Sequence, residues 1–429
     1  MSQFPWRRRA ARHDDFAGQP AACLLQGTNS TKGCYCEVAL ETSLGSVRRM
    51  APILHQAGDT TEARLAKVSL WVLCFWLASM RLGQGGELRI ERMFGPEIKT
   101  GPYKHPARLE QLHNGDLYAV YYGGEGEYAI DTGVFGSRLK KNSHAWTAPK
   151  CIAHDPFRSL GNAVIWQAPD GLVWLFYVVR YGDTWSTSRV QAKVSRDQAL
   201  TWSDSFPMVN EQGMMVCNRP IILHNGDYLL PLYFESGFNT EFTSSDSCGL
   251  FLRYDRQKNE WKQTGRIRSA TGNIQPVPVE VRPDELIAYV RRGGSFERTT
   301  NGWLIRCESH DGGWTWSPGV NSKFHNPNAA VDFQKLRSGN LLLVFNDSMN
   351  ERSPLTVALS PDDDGTWPWR RNVAEGPYDY AYPMAVQTGE GKIHLIFTSH
   401  ERTIVNHAVL DEDWIKNGGP VKSWLPKPR

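Results

Sequence analysis

The side chains able to do chemistry in this chain sit in short segments marked by proline or glycine. They are YKHP at 103–106, GEGEY at 124–128 with Glu125 and Glu127, NRP at 218–220, Gln275 in NIQPVP, Arg291 and Arg292 in VRRGG, HNPNAAVD at 325–332, Arg352 in ERSP and Tyr382 in YAYP. Arginine presents a planar fork that donates two parallel hydrogen bonds to a carboxylate and keeps its charge at any working pH. Glutamate, histidine and tyrosine exchange protons or attack as nucleophiles. These types suit the gripping of an acidic group and proton transfer beside it. Other chemistries lack their signals. Cys151, Cys217, Cys248 and Cys307 are far apart, with no C-x-x-C pair and no local histidine, so a metal site is unsupported. In an exported chain Cys217 and Cys248 could pair. GEGEY and RRGGS lack the strand-to-helix setting of a nucleotide loop. No cofactor is called for.

Elements that would position such residues emerge as a repeat. A turn followed by an apolar strand recurs six times: NGDLYAVYY from Asn114, DGLVWLFYV from Asp170, NGDYLLPLYF from Asn225, DELIAYV from Asp284, SGNLLLVF from Ser338 and EGKIHLIF from Glu390. Asn-Gly and Asp-Gly supply the positive φ of a tight hairpin, and β-branched and aromatic residues follow. Trp146, Trp202, Trp261, Trp316, Trp367 and Trp414 recur in phase. Six units of this length imply a six-bladed β-propeller, whose inner strands bring distant segments to one channel mouth. NRP, leading to Glu235, and HNPNAAVD open repeats at the position that Gln275 holds. Arg219, Glu235, His325, Asn328 and Asp332 are therefore channel candidates.

The composition, 41% hydrophobic and 22% charged with 16 Trp and 38 Gly, is that of a globular chain rich in turns. A formal charge of +3 and the lack of Lys/Arg runs flanked by stacking aromatics argue against nucleic acid as a partner. Residues 68–80, VSLWVLCFWLASM, follow Arg64 and Lys67 and are too short to span a bilayer comfortably. That layout reads as an export signal or an uncleaved anchor over 63–86, with a membrane partner only in the second case. Residues 1–62 read as a disordered leader or a mis-assigned start, and 87–425 as the propeller. A secreted or periplasmic location is expected.

Around three of the tryptophans the text is SRDQALTW from Ser195, SHDGGWTW from Ser309 and SPDDDGTW from Ser360. This resembles the Asp-box, S-x-D-x-G-x-T-W, of the sialidase superfamily of BNR-repeat propellers. In such a box the Asp and Ser side chains bond turn amides, glycine permits the geometry and the Trp packs between sheets. Asp197, Asp311 and Asp362 or Asp364 thus read as structural, and Ala199 stands where one glycine is expected. The resemblance implies an all-β, six-bladed sialidase-like propeller with Asp-box turns.

It also implies a site of three carboxylate-gripping arginines, a tyrosine nucleophile helped by a glutamate, and an acidic proton shuttle. ERSPLTVALSPDDDGTW followed by YDYAYPMAV is similar to the segment carrying one arginine and the tyrosine, which aligns Arg352 and Tyr382. Arg291, with Arg292 in a slipped register, falls on a second arginine. Gln275 falls on the glutamate partner, and an amide cannot withdraw the phenolic proton. YKHP replaces F-R-I-P, leaving Lys104 or His105 where the remaining arginine is expected. Glu125 and Glu127 stand near the place of the shuttle, with Asp131 further on. The implied activity is an exported exo-glycosidase releasing a terminal acidic sugar from a glycan. The same fold also suits a lyase acting on uronate polymers or a glycan-binding propeller without turnover.

Overall fold

Each repeat's turn closes a hairpin in the same way. Gly115, Gly171, Gly226, Gly339 and Gly391 take φ of +82° to +91°, and Asp284 at +64° serves the remaining blade. Strands flank each turn, and the computed structural model, which describes residues 86–240 and 242–425, assembles them into six sheets. The leader expected over 1–62 and, but for its last residue, the signal or anchor expected over 63–86 lie outside the described residues. Among the described residues no helix is long and apolar enough to cross a membrane.

Five blades are consecutive, spanning residues 103–153, 160–209, 214–263, 273–325 and 332–374, and each is an antiparallel sheet stepping from an inner to an outer strand. The sixth is composite. Ala381–Gln387, Ile393–Ser399 and Ile404–Leu410 are completed by Leu88–Phe94, which pairs antiparallel with the third of them (Ile90 opposite Ala408). Val421–Ser423 then adds parallel to that first strand. The two ends of the described chain therefore meet in one sheet and close the ring. In the third blade the inner strand is broken at CNRP, with Met214–Val216 and Ile221–Ile222 both pairing with Tyr228–Phe234.

Side chains alternate across each strand, so both faces of every blade meet a neighbouring blade and the strands read as almost continuous apolar runs. The core accordingly lies in the seams between blades, as where Val164, Phe176 and Val178 pack on Met214, Leu230 and Leu250. The Asp-boxes fix the outer hairpins. Ser195, Ser309 and Ser360 each donate from Oγ to Asp197, Asp311 and Asp362, at 2.7, 2.8 and 2.9 Å. Each Asp accepts from the threonine four residues on, through both amide and hydroxyl. Asp362 is the box residue of the third copy. Asp364 stands at a left-handed position of that turn, φ 78°, and binds Tyr289, Arg306 and Trp367 instead. Trp414 lies on the helix Glu412–Asn417, buried against the fifth and sixth blades. Cys217 and Cys248 are separate free thiols, and no disulfide links the described residues.

Candidate active site

Where the inner strands enter the channel, each blade offers one polar side chain: His105, Asn162, Asn218, Gln275, Asn328 and Tyr382, at intervals of 53 to 57 residues. The ladder slips at this point in four blades, between His105 and Arg108, Gly161 and Val164, Ile274 and Val277, and Ala381 and Met384. Asn162, Gln275, Asn328 and Tyr382 have φ of 43°, 59°, 57° and 54°. A bulge re-aims a side chain out of strict alternation, and a left-handed non-glycine residue costs about 1 to 3 kcal/mol. Pro106, Pro276 and Pro383 follow three of these residues, at places where the slipped ladder needs no N–H.

Tyr382 is the hub. Its hydroxyl accepts N–H bonds from Arg291 Nη1 at 2.9 Å and Gln275 Nε2 at 3.4 Å. Arg291 also donates to Gln275 Oε1 and, through Nε, to Asn328 Oδ1 at 2.7 Å. Gln275 thus turns its oxygen to the arginine and its amide nitrogen to the phenol. The His105 ring stands edge-on to the Tyr382 ring, centroids 4.2 Å apart. Arg108, fully buried beneath, donates to the Tyr382 carbonyl at 3.1 Å and to that of Cys217 at 2.7 Å.

Cations crowd this mouth. Arg352 donates from Nη2 to the Asn328 carbonyl, while its Nη1 is buried without a partner. Burial, then the charges of Arg402 and Arg291, pull Arg352 down to about 10. Arg402 is bound by Glu127 and by the Tyr103 hydroxyl, and Glu127 also accepts from Trp185 Nε1 at 3.3 Å. Burial, seconded by Arg402, Arg352, Arg108 and Arg291, holds the His105 imidazole well below its ordinary range and keeps it neutral. Glu235 closes the second strand of the third blade, and burial pushes its carboxyl up to about 7 against the pull of Arg291. The pocket of about 100 Å³ holds Tyr382, Gln275, Glu235, Glu127 and the three arginines. Through Phe296, Arg352 and Arg402 it adjoins a cleft of about 490 Å³.

Of the residues expected from sequence, the structure brings Tyr382, Gln275, Arg291, Arg352, Asn328, His105, Glu127 and Glu235 together. Lys104 is turned away by strand alternation and donates to the Gly101 carbonyl. Arg292, next to Arg291, is likewise on the opposite face of its strand. Glu125 is exposed on the loop outside the pocket. Arg219 lies farther down the channel, donating to Gln334 Oε1 at 3.0 Å and 4.0 Å from Glu110. Asp332 accepts from the Ala385 amide in that region. His325 ends the outer strand of its blade, bonded to Asp347 and packed on Trp303. Arg402, Arg108, Asn162 and Tyr233 were not indicated by any motif. A positional signal does exist for one of them, because Arg291, Arg352 and Arg402 all end or follow the second strand of their blades, which runs toward this mouth.

Residues 115–395 match the family described as BNR repeat-like domain. No curated protein sequence matches the chain. Among solved structures, a Hadza microbial sialidase is similar with a TM-score of 0.65 at 14% identity, over 76% of this chain and 69% of its own. An intramolecular trans-sialidase from Ruminococcus gnavus, in complex with oseltamivir carboxylate, gives 0.62 at 13%, over 76% and 98%. An alpha-L-arabinanase from Penicillium chrysogenum, complexed with arabinobiose, gives 0.52 at 15%, over 75% and 97%. At these identities the likeness is one of fold.

Proposed function

From the premise that this chain belongs to the family of BNR repeat-like domains, we propose that it is a sialidase-like exo-glycosidase releasing a terminal, carboxylate-bearing sugar from glycans. The observation that carries this reading is the convergence of Arg291, Arg352 and Arg402 on Tyr382 in one pocket, with Arg352 Nη1 left without a partner. Like charges brought together in a partly dry site are relieved by an anionic ligand, and a carboxylate is an anion that a guanidinium fork grips with two parallel hydrogen bonds. Arg402 supplies the third fork where Lys104 does not reach.

In this reading the Tyr382 oxygen bonds to the anomeric carbon as the bond to the leaving oxygen breaks, and water later displaces the phenol. A neutral phenol can approach beside a carboxylate without charge repulsion. Its proton must depart as the bond forms. Gln275 cannot take it, because the amide nitrogen faces the phenol. Glu235, pushed up to about 7, is near half ionised at neutral pH and is the carboxyl assigned that task. Glu127, on the loop over the pocket, holds Arg402; when the substrate carboxylate takes over that guanidinium, Glu127 is released to take a proton from water and pass it to the leaving oxygen. Residues 68–80, read as an export signal, would deliver the enzyme to a secreted or periplasmic location. Amino-terminal sequencing of the exported protein tests that step.

A specific observation favours a second reading. The phenol oxygen receives two N–H donors, from Arg291 and Gln275, and a neutral imidazole lies beside it, an arrangement that also suits a tyrosine acting as base in a uronate lyase. Incubation with sialylated and uronate-containing oligosaccharides, following released sugars and ultraviolet absorbance together, separates the two. A released acidic monosaccharide without new absorbance supports the glycosidase. An absorbing, unsaturated product establishes the lyase, and no product at all leaves a glycan-binding propeller.

A further inference from the structure

On the face opposite the active site, where the hairpin turns gather, the seam between the second and third blades opens into a groove of about 570 Å³. Trp174 and the turn at Asp170 form one wall, and Tyr228, Tyr254 and Trp261 form the other. The rings make a bent platform: Tyr228 stacks on Tyr254 at 5.3 Å and 21°, Tyr254 meets Trp261 at 5.0 Å, and Trp174 stands edge-on to Trp261 at 6.2 Å and 75°. Trp174, Tyr254 and Trp261 are only partly buried. Polar groups edge the platform. The Arg196 side chain is exposed and forms no bond among the described residues, and Gln198 Oε1 is buried with no partner.

We infer that this groove is a second, non-catalytic glycan-binding site that takes a neutral pyranose unit. A sugar ring offers an apolar C–H face to the aromatic rings and hydroxyls to the polar side chains of Asp170, Arg196 and Asn259 that line the same groove. Neutral sugar is the class that fits, because the charges of Arg196 and Asp170 offset each other, whereas the catalytic pocket is strongly cationic. Two sites on opposite faces would hold a branched or polymeric glycan by raising its effective concentration at the mouth. The inference does not depend on the acidic-sugar reading, because it concerns binding alone.

The test is titration of the full chain with neutral oligosaccharides up to about 10 mM, with N-acetyllactosamine, a galactan hexamer and cellohexaose as probes, followed by tryptophan fluorescence. Saturable quenching by at least one probe is expected, weakened at least tenfold in Trp261→Ala and unchanged in Arg352→Ala. Arg196→Ala, at the exposed rim, should weaken binding severalfold with an unaltered melting temperature, and it decides the matter if Trp261→Ala does not fold. No saturable binding by any probe, or binding indifferent to Arg196→Ala and Trp261→Ala, overturns the inference. So does binding lost in Arg352→Ala, which would place the sugar in the catalytic pocket.

Discussion

Three guanidiniums share one pocket with the Tyr382 phenol, and an anionic ligand relieves their mutual repulsion. Truncating a buried, hydrogen-bonded charge that meets a charged partner costs about 2 to 5 kcal/mol. Arg352→Ala should therefore raise KM for an acidic glycan by about 30-fold or more, with Arg352→Lys recovering only part because an ammonium has no fork. A wild-type KM in Arg352→Ala would remove this residue from substrate binding. Tyr382→Phe keeps the ring against His105 and Arg108 but loses the oxygen proposed to attack, so on that proposal kcat should drop at least about a hundredfold with binding retained. Glu235 carries a pH signature. As a base it must be ionised, so activity should rise through about pH 7, and Glu235→Gln should lower activity and erase that limb. Its raised folded value has a second consequence. The stabilisation it gives is complete below its ordinary 4.5 and is lost as pH rises through about 7, and buried Glu110 adds to the same loss. Urea midpoints between pH 4.5 and 7 should fall less steeply in Glu235→Gln. Tyr382, Arg291 and Arg352 were legible because each keeps a fixed distance from an Asp-box or an apolar strand. Lys104 and His105 are alternatives in the sequence because a one-residue slip at the Pro106 bulge exchanges strand faces, which sequence does not display.

At the scale of elements, local chemistry explains what could be read. The Asp-box turns are built from contacts within eight residues, so their sequence contains nearly all their determinants, and the carboxylates that look catalytic are occupied by turn amides. Ala199 shows the tolerance of the design. It adopts φ 62° in place of glycine and still donates its amide to Ser195 Oγ at 2.9 Å. Removing a box carboxylate should act on stability alone. Asp311→Ala unmakes bonds from Ser309 and from the Thr315 amide and hydroxyl, with an expected loss of about 1 to 3 kcal/mol. Denaturant titration should show the loss while kcat/KM of the folded enzyme stays unchanged, and a large fall in kcat/KM would return Asp311 to the list of functional residues. The broken inner strand at CNRP and the helix that carries Trp414 were less legible. In both, packing against a neighbouring blade overrides the period of the repeat.

Ring closure was the feature least visible in sequence, since LRIERMF at the start of the propeller finds its partner more than 300 residues later. No local pattern announces a pairing over that distance, and loop closure must precede any contact that rewards it. The closure bears on function, because the sixth blade supplies both Tyr382 and the loop of Arg402, and Leu88–Phe94 is its fourth strand. Ile90 is buried at 3% exposure in the cluster with Ala408 and Trp414. Ile90→Ala should cost about 2 to 5 kcal/mol through lost burial and an unfilled cavity. Glu91→Ala, on an exposed position of the same strand, should change stability by no more than about 0.5 kcal/mol. Because the first strand links the two ends of the ring, the loss in Ile90→Ala should appear as one cooperative shift of the whole urea transition, with activity and fluorescence falling together. If activity instead fell well before the fluorescence transition, the sixth blade would open on its own, and the closing strand would govern the site without governing the fold.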